Sequence, residues 1–437
     1  MKDDRKVFIL DTSVLLYDKT AIHSFPGNDV VVPLIVLDEL DRFKEKPGVI
    51  GESARYVNRF LDELRKDGNL PEGIEIQGGQ TIRVEINHNK KIPDGLDPSS
   101  ADNRIIAVAM SLSRSSNESS RVIVVTKDIN FRVKCDALGI MSEDYYKDRV
   151  VNSESQIYTG QTSVEVDSDL ISSFHKDKGV PVESILEFYD GEIYPNQFIV
   201  GKSSSGSGSF LGKVFKNRVL PITCDLWDMI DVNPRNKEQK FALDLLTRED
   251  IPLVTMTGIA GSGKTFLTIM AALSCLNQKK CERIVITRSM QTVGKDIGYL
   301  PGTVKEKMDP WISPIADNFR HAFKDTTYFE LMREKGQIEV APLSFIRGRT
   351  FNDAFIIVDE SQNSTIHELK TLITRVGEGS KIVLLGDIEQ IDTPYIDSLS
   401  NGLTIVTEKF KNTDLAGHIT LLKGERSKLA TLASKII

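Results

Sequence analysis

Residues Gly258-Ile259-Ala260-Gly261-Ser262-Gly263-Lys264-Thr265 fit the pattern G-x-x-x-x-G-K-[ST], and both flanks fit it too. Leu253-Val254-Thr255-Met256 reads as a buried strand, and Phe266 to Leu276 is rich in helix formers. A glycine-rich turn between strand and helix lets consecutive backbone N–H groups wrap a phosphate at the positive end of the helix. Lys264 then neutralises the β/γ oxygens, and the Thr265 hydroxyl ligates Mg²⁺. A Gly/Ser turn that merely contains a lysine has no need of strand, loop and helix in this order. All eight residues are therefore expected to bind a nucleotide's phosphates, although a phosphate loop alone suits many kinases and GTPases as well as ATPases.

The apolar segment Phe355-Ile356-Ile357-Val358 ends in Asp359-Glu360. Asp359, at the carboxyl end of such a strand, is placed to hold the Mg²⁺ shell, and Glu360 to polarise the attacking water. Many strands end in acids; it is the pairing with Lys264 that gives these two a catalytic reading. A further buried run, Ile382-Val383-Leu384-Leu385, leads through Gly386-Asp387-Ile388-Glu389 to Gln390. The Gln390 amide both donates and accepts, which suits a sensor of the γ-phosphate as well as a plain strand-end cap. Upstream, Gln239 stands at the head of the helical run Lys240–Leu246. Its amide has the donor–acceptor edge that adenine N6/N7 demands, favouring ATP over GTP, although a solvated helical Gln is the plainer reading.

Along the chain, three textures follow one another. Residues 1–150 alternate strands (Val7–Leu10, Val30–Val32, Val122–Thr126) with helices (Leu34–Phe43, Ser53–Arg65, Asp102–Ser111), the pattern of a parallel sheet flanked by helices. Residues 151–227 carry short alternating runs, Thr162–Val166 and Gln197–Val200, expected to form a small β module. Its Gly/Ser run Gly201–Ser209 reads as a hairpin loop, because Phe210–Phe215 resumes the strand pattern at once. Residues 228–437 return to α/β, with apolar runs at Leu253–Met256, Arg283–Thr287, Ile338–Ala341, Phe355–Val358 and Lys381–Leu385.

Four acids in the first segment stand where a parallel sheet gathers ligands, near the carboxyl ends of its strands. Asp11 follows Val7–Leu10, Asp128 follows Val122–Thr126, Asp102 opens a helix, and Glu39 lies in the helix after Pro33. Carboxylates so placed repel one another and call for a hard divalent cation, Mg²⁺ or Mn²⁺, which activates water against a phosphodiester. The same residues also read structurally: Asp102 as an N-cap, Asp128 as a turn residue, Glu39 as part of a solvated face with Asp38 and Asp41.

The bulk properties narrow the setting. No apolar run approaches the ~18 residues of a membrane span. The N-terminal Val7–Leu10 is interrupted by Asp11, with no small-residue cleavage site after it. The 4 cysteines, Cys135, Cys224, Cys275 and Cys281, form no CxxC pair, which fits a reducing cytoplasm. A net charge of −7 excludes a protein coated in basic surface while leaving room for a local basic groove.

Two resemblances sharpen these readings. The phosphate loop, Asp359-Glu360 and Gly386–Gln390, with Thr287-Arg288-Ser289, Gly298-Tyr299-Leu300-Pro301-Gly302, Arg347-Gly348-Arg349-Thr350-Phe351 and Gly424-Glu425-Arg426-Ser427, resemble the PhoH family of ATPases over residues 228–437. That family is related to superfamily-one helicases, and the resemblance implies ATP hydrolysis coupled to single-stranded or structured RNA. Arg288, Arg347 and Arg349 are then candidate RNA or nucleotide contacts, beside the reading of each as an ordinary surface arginine. The related helicases close two sheets around one ATP, whereas too few residues follow the last predicted strand here for a second sheet. The completing arginine is therefore expected in trans, with Arg426 as a finger in a neighbour's site and a closed homo-oligomeric ring, a hexamer by resemblance.

Ile9-Leu10-Asp11-Thr12-Ser13-Val14-Leu15, Leu37-Asp38-Glu39-Leu40 and Thr126-Lys127-Asp128-Ile129-Asn130 are similar to the PIN nuclease family over residues 5–145. The resemblance implies metal-dependent cleavage of single-stranded RNA by Asp11, Glu39, Asp102 and Asp128. Asn103 and Asn130 stand where many members have further acids, a departure that bears on a second metal and on activity. The whole is expected to be α/β: an N-terminal PIN-like parallel-sheet domain, a β-rich middle module and a C-terminal P-loop (RecA/helicase-like) ATPase. Such a chain would be a cytoplasmic, ATP-driven, RNA-unwinding ribonuclease. An RNA-binding ATPase with a degenerate N-terminal domain and a nucleotide-gated RNA scaffold are the competing readings. The sequence is silent on any antitoxin-like protein partner.

Overall fold

The computed structural model describes residues 5–46, 48–86, 92–93, 95–115, 122–145, 153–204, 206, 208–223, 232–288, 313, 315–320, 322–323, 326–346, 348–392 and 396–424. The chain divides into two compact units, Met1–Asp148 and Arg149–Ile437. Among the described residues no helix is long and apolar enough to cross a membrane.

The first unit is built on β1 (Val7–Leu10), β2 (Asp29–Pro33), β3 (Ile74–Ile76), β4 (Gln80–Glu85), β5 (Val122–Val125) and β6 (Ser142–Glu143), in spatial order β3-β4-β2-β1-β5-β6. All neighbours are parallel except β3 with β4. The central strands are continuous apolar runs because helices cover both faces, so Leu10, Val31 and Val124 are fully buried. β1 and β5 run side by side with Leu10 opposite Val125, and Asp11 N donates to Val125 O. That register sets Asp11 and Thr126 next to each other just beyond the sheet.

The second unit holds two sheets. The smaller has β7 (Gln161–Val166), β8 (Val180–Pro181), β9 (Phe198–Ser203), β10 (Ser209–Phe215) and β11 (Arg218–Pro221), ordered β7-β9-β10-β11-β8. β9 and β10 pair antiparallel with Lys202 opposite Ser209, so the strands of a hairpin reach into the run expected as loop: Gly201–Ser203 belong to β9 and Ser209 to β10.

The larger sheet is wholly parallel: β12 (Leu253–Gly258), β13 (Arg283–Arg288), β14 (Ile338–Val340), β15 (Ala354–Asp359), β16 (Lys381–Gly386) and β17 (Ala416–Leu421), ordered β14-β13-β15-β16-β12-β17. β17 has no counterpart in the sequence reading. It opens Ala416-Gly417-His418, too small and polar to look like a strand, and the reason is packing. A Cβ on Gly417 would lie 2.5 Å from Leu245 Cδ2, so any larger residue would force the buried Leu245 of the helix Lys237–Thr247 to shift away from this edge.

The small sheet shares the core of the large one. Phe198 of β9 stacks on Phe241 with ring centroids 4.3 Å apart, both fully buried. Asn196 Nδ2 donates to the carbonyls of Asp414 and Ala416 at the start of β17.

Candidate active sites

The phosphate loop leaves β12 at Gly258 and enters the helix Lys264–Asn277. Gly258 has φ +152°, and a Cβ there would sit 2.5 Å from Leu421 O of β17, so the missed strand is also what demands the first glycine. Lys264 Nζ donates to Gly258 O (2.5 Å) and Ile259 O (3.2 Å), which holds its charge over the loop. Ser262 is buried, and its Oγ has no hydrogen-bond partner among the described residues.

β16 lies between β12 and β15, yet the helix after the loop brings Thr265 Oγ1 to 3.5 Å from Asp359 Oδ1. Burial raises the Asp359 pKa, the neighbouring Glu360 raises it further, and Arg288 opposes them. A hydroxyl and a carboxylate make an all-oxygen donor set suited to Mg²⁺, whose charge would relieve that repulsion. The structure therefore brings Lys264, Thr265, Asp359 and Glu360 to one edge of the sheet.

Glu360 adopts the left-handed region (φ +53°, ψ +39°), which bulky L-residues avoid at a cost of about 1–2 kcal/mol. Its Oε1 accepts from Arg288 Nη2 at 2.8 Å and its Oε2 from Gln362 Nε2 at 2.7 Å. The same Gln362 Nε2 donates to Gln390 O at 2.9 Å, and Gln362 Oε1 accepts from Asp387 N at 3.1 Å. The buried Gln362 thus ties the segment of Gln390 to Glu360. Sequence reasoning passed over it; the signal was an amide two residues beyond Asp359-Glu360.

Gln239 is buried against the loop. Its Nε2 donates to Ser262 O and its Oε1 accepts from Arg235 N, so both halves of the amide brace protein backbone. Arg349 is held bidentate by Glu339 and lies 5.0 Å from the Phe351 ring centroid. The partners of these two side chains are protein groups. Arg347, Arg426, Ser289 and residues 298–302 lie outside the described residues.

In the first unit, Asp11 is buried where β1 and β5 end. Its Oδ2 accepts from Ser13 Oγ and, at 2.6 Å, from Thr126 Oγ1. Burial lifts its pKa to about 6 against those two bonds, and the charges of Asp102 and Glu39 add to the rise. Glu39 Oε2 accepts from Thr12 Oγ1 at 2.5 Å, which draws it towards Asp11, whereas Asp38 is exposed. The hydroxyls of Thr12, Ser13 and Thr126 were missed, although the first two follow Asp11 directly in sequence.

The other two acids are otherwise engaged. Asp102 lies in the first turn of the helix Ala101–Ser115 and pairs with Lys134 Nζ at 2.8 Å. Asp128, read as a ligand or a turn residue, is the N-cap of the helix Ile129–Ala137 and accepts from Asn130 N and Phe131 N. Among the described residues no three acids stand together as a ready metal cage, with Asp102 and Asp128 on these protein partners. The cap fixes one Asp128 oxygen, and the Lys134 ammonium holds Asp102. Asp11 with Glu39 still presents hard oxygen donors whose mutual repulsion a divalent cation would relieve.

Residues 231–436 match the family described as PhoH-like protein, and residues 8–146 match the PIN domain. Protein PhoH2 of Bacillus subtilis is 44% identical over 444 residues, covering 99% of this chain and 100% of that one. Protein PhoH2 of Thermobispora bispora and that of Mycolicibacterium smegmatis are each 34% identical, covering 99% of this chain and 96% and 97% of theirs.

The chain belongs to the PhoH2 family.

A PIN domain and a PhoH domain therefore share this one chain, in the expected order and with the expected α/β fold. PhoH domains are ATPase-like and PIN domains are nucleases, so a PhoH2-family chain is an enzyme. Its two sites are of kinds that use ATP and a divalent metal.

Proposed function

We propose that this PhoH2-family protein hydrolyses ATP to move or unwind RNA and cleaves single-stranded RNA in its PIN domain. The observation that carries the reading is Thr265 Oγ1 standing 3.5 Å from Asp359 Oδ1, with Lys264 over the loop and Glu360 adjoining. Backbone amides of residues 258–265 bind the phosphates, and Lys264 neutralises the β/γ oxygens. Thr265 and Asp359 would hold Mg²⁺, which when bound screens the charge that develops on the transferred phosphoryl group. Glu360 orients the attacking water, and Gln390 reports the γ-phosphate through Gln362. Steady-state ATP turnover with and without RNA tests this; turnover indifferent to RNA would leave a hydrolase uncoupled from it.

In the PIN domain, Asp11 and Glu39 would hold Mg²⁺ or Mn²⁺, which supplies an activated water for phosphodiester hydrolysis. A second reading, an RNA-binding ATPase with a degenerate PIN domain, is favoured by the Asp102–Lys134 pair, the Asp128 cap and Asn103. Asn103 is buried with its Nδ2 donating to Asp97 O and its Oδ1 without a hydrogen-bond partner among the described residues, and its amide brings no charge to a metal. Manganese-dependent cleavage of labelled single-stranded RNA, absent in Asp11→Asn, decides for the nuclease. The ring assembly, with Arg426 completing a neighbour's site, belongs to the same proposal.

A further inference from the structure

Both oxygens of the Glu360 carboxylate are held, and the two donors differ in kind. Gln362 is buried and fixed at both ends of its amide, by Glu360 and Gln390 O on one side and Asp387 N on the other. Arg288 lies at the carboxyl end of β13, directly opposite Asp359 in register, and Glu360 is its ion-pair partner. That pair is part-exposed, with 37% of the Arg288 side chain and 31% of the Glu360 side chain accessible. A carboxylate bound to a guanidinium is a weakened acceptor for water, because its lone pairs and charge are already engaged. Guanidinium also matches phosphate geometry, so a phosphate competes directly for this partner, and at partial exposure the ion pair is weak enough to lose.

We propose that Arg288 is a positioning residue that keeps Glu360 from the attacking water until a phosphate takes the guanidinium. Gln362 then retains Oε2, and Oε1 turns to the water. The inference rests on the reading of Glu360 as the water-orienting acid. The phosphate belongs either to the nucleic-acid backbone or to the bound nucleotide, and the two sources are separated by experiment.

Affinities of the full chain are measured for a labelled single-stranded RNA without nucleotide, and for a non-hydrolysable ATP analogue without RNA. Glu360→Gln removes the carboxylate charge and frees Arg288, so it binds the phosphate source about two- to fivefold tighter than wild type. Arg288→Ala/Glu360→Gln loses that gain, which makes the coupling a double-mutant cycle. If RNA is the source, Arg288→Ala also lowers the salt slope of RNA binding by about one. Its RNA-free ATP turnover then rises towards the RNA-stimulated rate, and Arg288→Lys restores the response. If the nucleotide is the source, the gain appears with the analogue alone, and Arg288→Ala raises KM for ATP.

No gain for either ligand in Glu360→Gln, or a gain that survives in the double variant, overturns the proposal. A gain for RNA with no rise in Arg288→Ala basal turnover overturns the holding role. Absence of ATP turnover in the wild type would sink the ATPase reading instead, a result the binding cycle does not depend on.

Discussion

Lys213 Nζ lies 2.7 Å from Asp244 Oδ1, a buried ion pair that fastens β10 of the small sheet to the helix preceding the phosphate loop. Asp244 Oδ1 also accepts from Thr223 N at 2.8 Å. Removing one partner leaves a buried charge uncompensated. Asp244→Ala should therefore destabilise the second unit by about 3–5 kcal/mol, while replacing both residues by apolar ones of similar volume should cost far less. Chemical denaturation followed in the second unit checks this, and a loss within error of zero would mean the pair is solvated.

Lys264→Ala should abolish ATP turnover with stability changed by no more than about 1 kcal/mol, because its ammonium rests on the loop carbonyls of Gly258 and Ile259, where it supplies charge to the phosphates. Turnover assays beside thermal melts separate the two effects. An unchanged rate would remove residues 258–265 from the nucleotide site.

His418 sets an acid limit on the second unit. It is buried between Thr255 Oγ1 (2.8 Å) and Thr420 Oγ1 (3.0 Å), and burial lowers its pKa from 6.5 to about 3. The folded state refuses a proton that the unfolded chain accepts below pH 6.5. The stability tied to the neutral ring is thus fully present above that value and is lost as pH falls towards 3. Denaturation midpoints should fall more steeply for wild type than for His418→Gln between pH 6.5 and about 4. Parallel slopes would place the acid sensitivity elsewhere.

Asp11→Asn should bring metal-dependent RNA cleavage to background and spare ATP turnover, since Asp11 and the phosphate loop belong to different sheets. Cleavage at the wild-type rate would make these acids structural.

Assembly offers a mixing test. Arg426→Ala subunits keep a sound loop, and Lys264→Ala subunits keep the arginine, so co-expressed mixed rings should recover part of the ATP turnover that each lacks alone. A monomer by light scattering, or no recovery in verified mixed rings, would count against an arginine supplied in trans.

The sequence alone determined what depends on local order. Strand, glycine turn and lysine-led helix are contiguous at residues 253–276, so their chemistry was legible without a fold. Asp359-Glu360 and Asp11 were legible because each ends an apolar run that must be a strand. The tertiary structure decided what depends on residues far apart in the chain. β17 hides behind Gly417, whose lack of a side chain has meaning only against Leu245. Gln239 presents an adenine-reading edge in sequence, but packing turns that edge onto Ser262 and Arg235. Asp128 reads in sequence as a metal ligand or a turn residue, and the fold makes it the cap of the helix at Ile129, the same helix that brings in the Lys134 paired with Asp102. Side-chain partnerships of this kind follow from which surfaces meet, and no periodicity or spacing encodes that.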